Sequence, residues 1–166
     1  MLDRIKEIRS CINDKHYEAA LALSLTLPDI CGQVEYPGET EVGRRYKDWI
    51  DNFVDDSAFD ANFYARVFEG MTPSRIYKLR CSFLHSGNDD LQNESVDEFY
   101  LITPELAAQK QSGYIYGTRK ETDGSLHHTI EVDIVYLCEV LCASAEKYYQ
   151  TRSPSDFDNH SFVLKS

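Results

Sequence analysis

Positive charge is scarce in this chain. Its 166 residues carry 17 Lys and Arg against 28 Asp and Glu, a formal net charge of −11, with a pI near 4.8. A broad basic coat of the kind that wraps nucleic acid is therefore excluded. Paired cysteines are missing too. Cys11, Cys31, Cys81, Cys138 and Cys142 include no CxxC spacing, so no zinc site is expected, and the thiols read as small, mostly buried residues in a reducing compartment. No run approaches the roughly 18 apolar residues of a membrane span. The first ten residues, MLDRIKEIRS, lack the apolar stretch and small-residue cleavage site of a signal peptide. The patterns GxxxxGK[ST], GxGxxG and GxSxG do not occur, which leaves nucleotide-phosphate cradles and serine-hydrolase elbows without support. A cytoplasmic protein with no membrane partner, no metal and no cofactor is the expectation.

What is present suits one globular domain spanning 1–166: 42% hydrophobic and 27% charged residues, at a length typical of a single core. Ile5, Ile8 and Ile12 recur at helical spacing. After Asn13-Asp14, the stretch Tyr17 to Leu27 reads as a core helix, with Pro28, Gly32 and Pro37-Gly38 as its break. Glu41 to Val54 is amphipathic through Val42, Tyr46, Trp49, Ile50 and Phe53, and Phe59 to Phe68 suits a shorter helix. Thr72-Pro73 opens a helix to about His85, with Ser86-Gly87 as its stop. Asn88 to Asp97 reads as a polar loop. Phe99 to Thr103, Tyr114 to Arg119 and Leu126 to Glu131 have strand composition, the last two joined by a hairpin through Asp123-Gly124. A central helix runs from about Val132 to Gln150, and 151–166 reads as an irregular tail. The fold class is mainly α: a bundle of about five helices with a small antiparallel β-meander before the last.

Chemistry concentrates in one place. No acid lies between Glu69 and Asp89, while Arg75, Lys78 and Arg80 all do. With helical positions about 100° apart, Arg80 falls in the middle of the arc formed by Ile76, Leu79, Phe83 and Leu84. A guanidinium on a packed face must snorkel, pair with a carboxylate or line a cleft. A structural ion pair with Glu139, on the apolar stripe of the last helix, is one reading. His85 lies about 140° from Arg80 on a straight helix, so the two meet only if the helix distorts or a second copy completes the site. His127-His128 is expected in a strand, where neighbours face opposite ways and do not share a metal. Arg44-Arg45 with Lys47 reads as a solvated helix face, and Asp29 as a loop-forming residue just past a helix end.

An Arg followed after four residues by His, at the end of a helix in a small bundle, resembles the Rx4–6H motif of HEPN domains. The block YKLRCSFLHSG, with LALSLTLPDICG upstream, resembles small members associated with mobile elements. The resemblance implies a HEPN-like, metal-independent endoribonuclease, homodimeric through the motif helix. Such proteins act as toxins or defence effectors, with an antitoxin or regulatory protein as a further partner. On that template Arg80 would stabilise the phosphate and His85 would move the proton of the attacking 2′-hydroxyl. Arg75, Lys78 and Ser82 would contact RNA, and Asp29 would orient Arg80. The pattern departs from the family at Cys81, where active members often carry a polar Asn, Asp or His. It departs again at Gly87, where members silenced by nucleotidylation carry Tyr, which argues against that regulation. The alternatives are a catalytically silent HEPN-like dimer binding RNA or a protein, and an acidic interaction protein whose Arg80 staples helices.

Overall fold

The computed structural model describes residues 1–54, 71–86, 98–110 and 114–160. The expected helix Phe59 to Phe68 and the expected loop Asn88 to Asp97 lie outside the described residues. Among these residues the chain is mainly helical, with a small three-stranded sheet ahead of the last long helix.

The helices are α1 (Leu2–Asn13), α2 (Tyr17–Ser24), α3 (Leu27–Glu35), α4 (Val42–Phe53) and α5 (Pro73–Ser86). Ile5 and Ile8 of α1 are fully covered, as their spacing requires. Between α2 and α3 the chain does not break as expected. The backbone turns at Leu25-Thr26, where the Thr26 hydroxyl donates to the Leu23 carbonyl at 2.6 Å and accepts from Arg4 at 2.8 Å. Leu27 then starts a new helix with Pro28 in its first turn. Proline lacks only an N–H that the first turn leaves unbonded anyway, so it opens α3 where a stop was expected. Gly32 lies inside this helix. Thr72 caps α5 as predicted, its hydroxyl accepting from the Arg75 N–H at 3.3 Å.

The sheet is β1 (Glu98–Ile102), β2 (Tyr114–Lys120) and β3 (Leu126–Asp133), in the order β1-β3-β2. The β2–β3 hairpin is antiparallel, with Gly124 at φ +89° in its turn, a conformation glycine adopts without strain. Strand β1 instead pairs parallel with β3, from Glu98 opposite Thr129 to Ile102 opposite Asp133. The sheet is thus mixed, because a short helix, α6 (Pro104–Lys110), carries the chain away from β1 before β2 begins. Its Thr103-Pro104 start repeats the Thr72-Pro73 signature.

Helix α7 (Ile134–Gln150) is central and buries ten of its 17 residues. Asp133 caps it, its carboxylate accepting from the N–H groups of Val135 (2.8 Å) and Tyr136 (3.3 Å). Burial raises the Asp133 pKa, against these two hydrogen bonds. Trp49 of α4 packs against Phe53 and edge-on to Tyr148 of α7, with ring centroids 6.0 and 5.8 Å apart. Of the tail expected to be irregular over 151–166, residues 161–166 lie outside the described residues, and Pro154–His160 form a 3-10 turn. Phe157 is its anchor, buried against Tyr148 and Tyr149.

Glu35 at the end of α3 ties this region together, accepting from the Tyr148 hydroxyl at 2.8 Å and from Arg152. Burial alone would raise the Glu35 pKa, but the hydrogen bonds from Arg152 and Tyr148 outweigh it and hold it below the ordinary 4.5. A carboxylate with a lowered folded pKa lends stability that is full above its unfolded value and is lost as pH falls through the folded one. Glu35→Gln is therefore expected to flatten the loss of stability below about pH 4.5. Denaturation midpoints at graded acid pH check this; an unchanged acid limb would remove Glu35 from the explanation.

Three of the five cysteines, Cys31, Cys138 and Cys142, are buried, and all five are free. Burial pushes the thiols of these three up, that of Cys138 to about 12, in keeping with inert core residues. No helix among the described residues is long and apolar enough to cross a membrane.

Candidate functional site

Helix α5 is anchored by Ile76 and Leu79, both fully covered. Arg80 follows Leu79 and turns toward α3 and α4, its side chain only 17% exposed. Its Nη2 donates to Asp29 Oδ2 at 3.1 Å. The expected Glu139 partner is not used. Glu139 accepts instead from Arg9 Nε of α1 at 3.3 Å, while Glu146, about two helical turns on, accepts from Arg9 Nη2 at 3.1 Å. Burial opposes the charge on Arg80, yet contact with the Cys81 thiol and the charge of Asp29 outweigh it and raise its pKa.

Asp29 is not a loop residue. It occupies the first turn of α3, where the helix N-terminus favours a negative charge. Its second oxygen, Oδ1, lies 3.5 Å from Arg45 Nη2. Arg45 also donates through Nη1 to the Glu39 carbonyl at 2.9 Å, and its side chain is 12% exposed. Arg44 beside it is exposed and pairs with Glu39 and Asp48, as a solvated face predicts. Arg45 thus departs from the solvated reading. The signal was on the helical wheel: Arg45 falls about 40° from Trp49, at the edge of the buried stripe, and Arg44 about 160° from Tyr46.

Gly32 makes room for this arrangement. A Cβ there would lie 2.9 Å from Arg45 Cγ and 3.0 Å from the Arg45 carbonyl oxygen. Gly32→Ala gains up to about 1 kcal/mol of helix propensity but incurs about 1–3 kcal/mol of overpacking. A net loss near 1 kcal/mol is expected in urea denaturation. Gly38→Ala, with open space around its Cβ, serves as the control, and equal midpoints for the two variants would show that the close approach carries no strain.

His85 is exposed at the end of α5, and its Nε2 lies 3.3 Å from Arg80 Nη1. The two residues therefore meet within one chain, although their helical positions point apart. The long arginine side chain spans the gap, so neither helix distortion nor a second copy is needed for the contact. A guanidinium only donates, so Nε2 is the acceptor and the imidazole proton sits on Nδ1. Cys81 Sγ is 4.0 Å from the same Nη1.

The remaining candidates stand apart. Lys78 and Ser82 lie two positions either side of Arg80, about 160° around the helix. Lys78 is half-buried, and its Nζ has no hydrogen-bond partner among the described residues. Arg75 sits in the first turn, its N–H on Thr72. His128 Nδ1 is 3.2 Å from Thr118 Oγ1 on the neighbouring strand, and among the described residues no group of three or more His, Cys, Asp or Glu is placed to hold a metal ion. A cavity of about 790 Å3 lies between the α1–α2 turn, the end of β1 and the start of α7; Phe83 lines it, but Arg80 and His85 do not.

Comparison with protein-family models, with curated proteins and with solved structures returned no match.

Proposed function

We propose that the protein is a HEPN-like endoribonuclease that cleaves RNA by attack of the 2′-hydroxyl without a metal ion. We propose further that it acts as a homodimer in the cytoplasm, in a toxin or defence role under a regulatory protein. One observation carries this reading: Arg80 and His85 of the Rx4H motif lie within hydrogen-bonding distance, with Asp29 behind the arginine. The chemistry follows from the donors. A phosphate oxygen competes with His85 Nε2 for the Arg80 Nη1 donor, as a charge-assisted acceptor is stronger than a neutral one. Displaced, Nε2 takes the proton of the 2′-hydroxyl. The 2′-oxygen bonds to phosphorus as the bond to the 5′-oxygen breaks. That oxygen takes a proton from a protonated imidazole, which a homodimer supplies from its second copy. Arg80 opposes the negative charge that grows on phosphorus in between. The products are a 2′,3′-cyclic phosphate and a 5′-hydroxyl.

Purified protein incubated with mixed RNA in EDTA tests this, beside Arg80→Ala and His85→Ala. Cleavage that persists in EDTA and disappears in both variants is expected. Cleavage unchanged in the variants sinks the assignment, and cleavage abolished by EDTA sinks the metal-free route. In an acidic chain the affinity for RNA is expected to fall steeply with added salt. The second reading, a silent dimer that binds RNA or a protein partner, is favoured by the engagement of both terminal Arg80 nitrogens. It gives RNA binding without cleavage.

A further inference from the structure

We propose that Arg45 is a positioning residue of the same site: by occupying one oxygen of Asp29, it leaves only the other for Arg80 and so turns the second Arg80 nitrogen toward His85. This rests on reading Arg80 and His85 as the working pair.

A lone Asp–Arg pair tends to close as a bidentate fork, with two parallel N–H···O bonds. Here the fork is split. Oδ2 of Asp29 accepts from Arg80 Nη2 at 3.1 Å, while Oδ1 faces Arg45 Nη2 at 3.5 Å. Arg80 Nη1 is thereby left for His85, at 3.3 Å. Were Arg45 absent, both Asp29 oxygens would be open to Arg80, and a bidentate pair would draw Nη1 away from His85. Arg45 itself is held at both ends: its stem lies against Gly32, which has no room for a Cβ, and its Nη1 donates to the Glu39 carbonyl at 2.9 Å. All three side chains are largely covered, at 12%, 17% and 18% exposure, so water competes little for them. Charge points the same way. Two guanidiniums around one carboxylate leave one net positive charge, where a closed Asp29–Arg80 pair would leave none for an anionic substrate.

Arg45→Met tests this, since its unbranched apolar stem keeps the packing on Gly32 and removes the charge. The primary readout is the imidazole 15N spectrum of His85 in the free protein, which reports whether Nε2 accepts a hydrogen bond. The His85 signal is expected to move toward that of Arg80→Ala, and to an intermediate place in Arg45→Lys, which restores charge but not the fork. In RNA cleavage, kcat is expected to fall about 10- to 100-fold, and KM to rise with the loss of the site's net positive charge. Arg44→Ala is expected to leave both readouts alone. A wild-type His85 signal in folded Arg45→Met, or in Arg45→Lys should the Met variant not fold, overturns the proposal. The spectrum requires no RNA, so absence of cleavage by the wild-type protein would count against the enzyme reading only.

Discussion

Trp49→Ala is expected to lower the stability of the fold by about 3–5 kcal/mol, the usual loss for a large buried aromatic. Trp49 is fully covered, and it joins α4 to α7 through Phe53 and Tyr148. Phe157 of the C-terminal turn packs on the same Tyr148 ring. Truncation would leave a cavity with partners on every side that cannot all collapse into it. Set against the total of about 5–15 kcal/mol that holds a typical fold, such a loss leaves the protein near unfolding at ambient temperature. The urea midpoint of the variant measures it. A loss below about 1 kcal/mol would mean that the α4–α7 contact is not the core of the molecule. The functional consequence is direct, because α4 carries Arg45 and its register sets where that guanidinium meets Asp29.

Arg80→Ala is expected to reduce RNA cleavage by about 100- to 1000-fold, the range for loss of one preorganised donor to developing charge. Arg80→Lys is expected to do little better. An ammonium keeps the charge, but it lacks the fork with which Arg80 reaches Asp29 through one nitrogen and His85 through the other. Circular dichroism of both variants separates a lost donor from a lost fold. A folded Arg80→Ala protein that cleaves at the wild-type rate would remove Arg80 from the chemistry.

The helices were legible where the signal was local. Thr72 before Pro73 marks a start that the structure reproduces, whereas the last helix, expected from about Val132, begins at Ile134 because Asp133 caps it. Pro28 was ambiguous, because a proline ends one helix and opens the next by the same chemistry, and the sequence does not say which until Thr26 is seen turning the chain. The same Thr-Pro signature at Thr103-Pro104 opens α6, a helix absent from the sequence expectation, and its presence moves β1 to the far edge of the sheet. Parallel pairing of β1 with β3 depends on that nonlocal path and not on strand composition.

The site was legible as an anomaly before it was legible as a geometry. Arg80 on an apolar arc requires a partner, and the pattern offered Glu139 on the central helix. The actual partner, Asp29, lies 51 positions upstream, on a helix whose start was hidden by the reading of Pro28. Arg45 was hidden for a related reason. Three cations in Arg44, Arg45 and Lys47 look like one solvated face until each is placed on the wheel. The contact between Arg80 and His85 follows from side-chain length, which a helical projection of Cβ directions does not contain.

The chemistry of the RNA ends is the most direct measurement. Mass spectrometry of fragments made by the wild-type protein in EDTA is expected to find 2′,3′-cyclic phosphates paired with 5′-hydroxyls, and none made by His85→Ala. Fragments ending in 3′-hydroxyls and 5′-phosphates, or intact RNA throughout, would contradict 2′-hydroxyl attack at the Arg80–His85 pair.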